Sequence, residues 1–96
     1  MSKIKIERLT EEQKKSLGIP AVCKTTGGWS VWECPPSQFD WHYDELEKAY
    51  LYEGEVRVKT AEDAVVVKAG DFVTFPKDLD CTWDVIKKVR KVYKFE

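Results

Sequence analysis

The segment Phe39-Asp-Trp-His-Tyr43 holds two side chains fit for acid–base or ligand work, Asp40 and His42, one residue apart. Side chains alternate across a strand, so in an extended chain both would share one face. His42 is the single histidine of the 96-residue chain. Paired with Cys81 it would make a nucleophile and its base, provided the two come within hydrogen-bond reach. The plainer alternatives are a hydrogen-bonded, partly buried histidine and a thiol that packs as a small, inert hydrophobe. No phosphate-cradling glycine loop and no Gly-x-Ser-x-Gly elbow occurs.

Aromatic residues are the second chemical resource. Trp29, Trp32, Trp41 and Trp83, with Tyr43, Tyr50 and Tyr52, are many for so short a chain. They would serve as core and interface residues, or as the wall of a pocket for a planar or apolar small molecule, with Trp41, Tyr50 and Trp83 the candidates. The stretch Lys87 to Lys94 carries five basic residues interrupted by valines and a tyrosine. It reads as a solvated strand face rather than a nucleic-acid site.

The elements that must position these groups are short and extended. Thr10 to Gly18 predicts the one helix: Thr10 as N-cap with Gln13 at the capping-box position, acidic residues in the first turn, and Gly18 as a left-handed stop. From Trp29 onward the period changes. Strands are expected over Trp29–Glu33, Phe39–Tyr43, Glu47–Tyr52, Glu55–Thr60, Ala64–Lys68 and Phe72–Phe75, with one or two more over Cys81–Phe95. Pro35-Pro36, Glu53-Gly54, Ala69-Gly-Asp71 and Pro76-Lys-Asp78 punctuate them. Seven or eight short strands at this spacing argue for a sandwich or barrel.

Composition narrows the function classes. The length suits one domain, residues 1–96, with a thin core. The chain is 43% hydrophobic and 34% charged, with a net charge of -1. That balance supplies no global field for nucleic acid or an anionic membrane, so neither is an expected partner. No apolar run approaches a membrane span, and Met1 to Leu9 does not read as a signal peptide. Cys23, Cys34 and Cys81 cannot all pair within one chain and none forms a Cys-x-x-Cys motif, which points to free thiols and a cytoplasmic setting. The thin core and the surplus of aromatics suggest a homodimer.

Two stretches carry a family resemblance. Glu47-Lys-Ala-Tyr-Leu-Tyr-Glu-Gly54 resembles the second half of the first cupin motif, and Gly70-Asp-Phe-Val-Thr-Phe-Pro76 is similar to the opening of the second. The flanks Phe39-Asp-Trp41, Lys68-Ala-Gly-Asp71 and Val89-Arg-Lys-Val-Tyr93 are similar to the branch that includes ureidoglycine aminohydrolase and the ethanolamine-utilisation cupins. The resemblance covers roughly Trp29 to Phe95. It implies an all-β fold, a cupin-type double-stranded β-helix (jelly-roll) barrel with a short N-terminal helix outside it.

In cupins two histidines, a glutamate and a further histidine point inward and bind a metal. Carried onto this sequence, the first histidine becomes Asp40, the second is His42, the glutamate is Glu47 and the last histidine becomes Cys81. The second glycine of the second motif becomes Asp78. The resemblance thus implies His42, Glu47 and Cys81 as candidate ligands of a divalent metal, with Asp40 as a fourth ligand or general base. A thiolate would bias such a site towards zinc or iron. The aminohydrolase ligand set is not reproduced, so its reaction does not follow. The expected function is binding of a small-molecule ligand inside the barrel, as a metal-dependent enzyme acting on a small polar metabolite; the alternative is a metal-free binding or scaffold barrel whose sheet faces serve a protein partner.

Overall fold

The computed structural model describes residues 3–96; Met1 and Ser2, the start of the expected 1–96 domain, lie outside the described residues. Its elements, in chain order, are β1 (Lys5–Glu7), α1 (Glu11–Leu17), β2 (Ser30–Cys34), β3 (Ser37–His42), β4 (Glu47–Lys59), β5 (Ala64–Lys68), β6 (Phe72–Phe75) and β7 (Asp80–Phe95). The strands run β1-β6-β4-β7-β2, with β5 also on β4 and β3 also on β7, and every pairing is antiparallel. This is the all-β, jelly-roll arrangement of a cupin. No helix among the described residues is long and apolar enough to cross a membrane.

Two long strands form the spine. β4 has 13 residues and β7 has 16, and each changes neighbour half-way. The first part of β4 pairs with β6 and the second with β5. Likewise Asp80–Val85 of β7 pair with β3 and Val89–Tyr93 with β2. At the changeover the β4–β7 register slips between Leu51 and Val56. Extra residues in a ladder bend a strand and increase its twist, which lets one strand serve two walls of a barrel.

Gly54 sits in that irregularity, with φ +100° and its Cα so near β7 that a Cβ would lie 2.2 Å from the Lys88 carbonyl oxygen. The sequence suggested a break between two strands at Glu53-Gly54. The glycine instead carries one strand through a bend, because only a residue without Cβ tolerates both the angle and the approach. Cys81–Phe95 likewise lies in one strand, β7. β1 had no clear sequence signal at three residues, and it pairs with the β6 edge.

Alternation sorts the core into two clusters. Ala49, Leu51, Val73, Phe75, Trp83 and Val89 belong to the cluster inside the barrel. Tyr50, Phe72 and Val92, their out-of-phase neighbours, pack outside with Ile19 and Trp29. Leu17 at the end of α1 packs on this outer cluster. The helix is held by the reciprocal Thr10–Gln13 capping box and by Gly18 in the left-handed conformation. Trp29 Nε1 donates to the Leu17 carbonyl at 3.2 Å, and Tyr52 Oη donates to the Pro20 carbonyl. Asp78, standing where the cupin pattern has glycine, is the one non-glycine residue with positive φ among the described residues, at +66°. Aspartate tolerates that region better than most residues.

Candidate functional site

A cavity of about 250 Å³ lies within the barrel. β2 contributes Trp32, β3 contributes Phe39 and Trp41, β4 contributes Glu47, and β7 contributes Trp83 and Lys91. Trp41 and Phe95, each about half exposed, mark its mouth. The volume is just below the roughly 300–1,000 Å³ typical of ligand pockets, so it suits a small molecule.

The walls are interlocked rings. Trp32 meets Trp83 edge-on at 5.5 Å between centroids, and Phe39 stacks on Trp83 at 6.1 Å. Behind them Tyr43 stacks on Phe75 at 4.7 Å, and Trp83 Nε1 donates to Tyr43 Oη at 3.2 Å. Burial, and the nearby Glu47 charge, push the Tyr43 hydroxyl far above the usual tyrosine value, so it stays protonated. Rings fixed by rings and by a buried hydrogen bond make a preformed wall.

Inside this wall sits an ion pair. Lys91 Nζ donates to Glu47 Oε2 at 2.8 Å, and both side chains are only 6% exposed. The ammonium also lies over the faces of Trp83 at 4.7 Å, Trp32 at 4.9 Å, Tyr93 at 5.5 Å and Phe75 at 5.9 Å. Each ring face presents negative charge to the cation. Desolvation nevertheless dominates and lowers the Lys91 pKa from the ordinary lysine value, with Glu47 opposing the shift.

Of the residues expected from the sequence, Asp40, Trp41, His42 and Cys81 border one open groove beside β3 and β7, whereas Glu47 lies in the cavity. Trp41 and Trp83 line the cavity. Tyr50 does not: it is one residue out of phase with Ala49 and Leu51, so it faces the outer cluster, where Lys14 lies 5.2 Å over its ring. Asp40 and His42 do share a strand face, but it is the outer one. Phe39 and Trp41, their alternating partners, are the residues of β3 on the cavity wall. Asp40 accepts a hydrogen bond from Thr82 Oγ1 at 2.8 Å, and His42 Nδ1 meets Asp80 Oδ1 at 2.7 Å, both in exposed positions. The Asp80 hydrogen bond raises the His42 pKa.

Cys81 is buried in the interior cluster and directs its thiol to the Trp41 carbonyl at 3.6 Å. Burial pushes it up to about 11, so it rests as a thiol and is poorly suited as nucleophile or ligand at neutral pH.

His42, Glu47 and Cys81 therefore do not converge as a ligand trio, and among the described residues no group of three or more His, Cys, Asp or Glu side chains could hold a metal ion. The donor set does not fit a divalent cation. Glu47, the one inward carboxylate of the expected set, already carries the Lys91 ammonium, a positive charge where a metal would need its own. Lys91 is the residue the sequence conceals. It sits in a run of basic residues that suggests a wet face, and its only signal is that it is in phase with Val89 and Tyr93, whose side chains pack with the interior cluster. Trp32 and Phe39 belong with it on the wall, carried by strands whose aromatic content was visible but whose inward phase was not.

The EutQ-like cupin domain model matches residues 24–93, and the chain belongs to that family. A solved DUF861 family protein from Thermotoga maritima is 41% identical, with 98% of this chain and 100% of that chain covered and a TM-score of 0.87. The EutQ protein of Clostridium difficile is 22% identical over 68% of this chain and 52% of its own, with a TM-score of 0.63, a likeness of fold. A DUF861 family protein from Pseudomonas syringae pv. tomato is 27% identical over 68% of this chain and 28% of its own, with a TM-score of 0.62. No curated protein matches the chain.

Proposed function

We propose that this cupin binds a small, neutral organic molecule with a flat apolar body and a carbonyl-type oxygen, held inside the barrel without a metal ion. The observation that carries this reading is the Lys91–Glu47 pair, which puts a fixed N–H donor and a carboxylate acceptor among aromatic rings. A lysine ammonium has three N–H donors, and Glu47 takes one, so a ligand oxygen can accept from another. The rings supply the apolar contact area, and the cavity size limits the ligand to a small metabolite.

Charge decides between ligand classes. The pair is neutral as a whole, so a charged ligand would lose its hydration with no free counter-charge to receive it. A cationic ligand would also compete with Lys91 for the same ring faces. A neutral carbonyl compound meets neither penalty.

Three of the four tryptophans, Trp32, Trp41 and Trp83, line the cavity, so intrinsic fluorescence reports occupancy. Benzamide, planar and neutral, is expected to quench saturably, and Lys91→Met is expected to weaken it about tenfold, the loss of one hydrogen bond. Benzylamine, of similar shape but cationic, is expected to bind more weakly. Equal binding of both, or no saturable quenching by benzamide, would count against the reading.

A further inference from the structure

We propose that Lys91 is a reactive amine that forms an imine with small aldehydes or ketones entering the barrel cavity, with Glu47 as the group that moves the protons. This rests on the reading of the cavity as a site for neutral carbonyl compounds and gives that site a chemistry.

Three features of the geometry point the same way. Lys91 lies on the cavity wall, its Nζ buried among Trp32, Trp83, Tyr93 and Phe75, so a carbonyl compound on those rings would meet the amine. Glu47, 2.8 Å away, is placed to take a proton from the ammonium and return it. The enclosure by rings removes the water that would otherwise favour the charged form and hydrolyse an imine. Burial lowers the Lys91 pKa in keeping with this, making the nucleophilic, neutral amine more accessible than on an exposed lysine.

The step balances without an oxidant or reductant. Glu47 accepts one proton from the Lys91 ammonium. The nitrogen lone pair then attacks the carbonyl carbon, a C–N bond forms, and the carbonyl π pair moves to oxygen. A proton passes from nitrogen to that oxygen through Glu47, giving a carbinolamine. Protonation of the hydroxyl lets the C–O bond break, water leaves, and the C=N bond remains. The protonated imine is a cation where the ammonium was, beside the same carboxylate and ring faces. The environment that holds Lys91 in the resting protein therefore also holds the product.

Benzaldehyde with cyanoborohydride tests this, since reduction converts an imine to a permanent benzylamine that peptide mass mapping can locate. In the folded native protein, Lys91 is expected to be benzylated at least about tenfold faster than exposed lysines such as Lys3 and Lys5, although it is the more buried. That preference should vanish in urea, and Glu47→Gln should slow it by about 10²-fold, the usual scale of a positioned acid–base group. Labelling that simply follows exposure, with Lys91 among the slowest, overturns the inference whatever the variants do. If benzamide still quenches fluorescence in that case, the binding reading stands and only the covalent chemistry falls. If benzamide fails as well, both fall.

Discussion

Lys91 Nζ and Glu47 Oε2 are 2.8 Å apart, yet the two residues are not opposite each other in the ladder. Glu47 pairs with Phe95, and Lys91 pairs with Leu51, so the lysine side chain runs along the barrel interior to reach the carboxylate. The long methylene stem packs against the rings, and only the head group needs a polar partner. Two charges are thus placed in the driest part of a small domain. Hydrophobic residues of like volume would fill that space at least as stably. A pair held at that disadvantage is better explained by what its remaining N–H donors and carboxylate oxygen offer a ligand in the cavity than by what it adds to folding.

The pair's energetics can be checked with equilibrium urea unfolding. Removing one partner leaves the other charge buried and alone, so Lys91→Met or Glu47→Gln should each cost about 3–5 kcal/mol. The double variant Glu47→Gln/Lys91→Met removes both charges and should recover most of that loss. Additive losses in the double variant would mean that the two side chains are not coupled as the geometry requires.

Gly54 makes a second test. A Cβ there would lie 2.2 Å from the Lys88 carbonyl oxygen at a φ of +100°, so Gly54→Ala should cost about 3 kcal/mol or more. Gly28 also has positive φ, +87°, but open space around it, so Gly28→Ala should cost only the conformational strain of about 1–2 kcal/mol. Matching losses at the two sites would show that the β4–β7 approach is not the constraint it is taken to be.

The fold was legible because its signals are local. Thr10, Gln13 and Gly18 announce the helix, and Gly70 to Pro76 the turn and strand, through residues whose backbone preferences do not depend on distant partners. The site was less legible because it depends on phase. In β3 the choice between a wall of Phe39 and Trp41 and one of Asp40 and His42 is a shift of one residue, and the packing of Phe39 on the interior cluster settles it in favour of the rings. Lys91 depends on phase and context together. A lysine between Arg90 and Val92 reads as wet until Glu47, 44 residues away in sequence, is found beside it.

The thiols should differ in reactivity. Burial pushes Cys81 up to about 11, against an unperturbed thiol near 8.5, which leaves on the order of 10²-fold less thiolate at pH 8. Cys23 and Cys34 are only partly buried. Reaction of the native protein with an aromatic disulfide reagent should therefore show Cys81 as the slowest of the three, slower than an unperturbed thiol by about that factor and slower than Cys23 by less, because burial raises the Cys23 thiol as well; in urea the three should react alike. A fast Cys81 in the folded protein would restore it as a candidate nucleophile.

His42 supplies a pH dependence separable from the cavity. Its hydrogen bond to Asp80, with Asp44 and Asp78 also near, raises its folded pKa above the ordinary 6.5. A raised folded value means the folded chain holds the proton more tightly than the unfolded one. The stabilisation is therefore complete below about 6.5 and is lost as pH climbs through the higher folded value. His42→Gln should lower the Tm at about pH 5.5 and leave it unchanged at about pH 9, where the native imidazole is neutral as well. The effect should be small and should shrink in high salt, because the pair is exposed and screened. Because His42 faces away from the cavity, benzamide quenching should be the same in His42→Gln as in the native protein. A loss of binding in this variant would put the site on the outer face of β3.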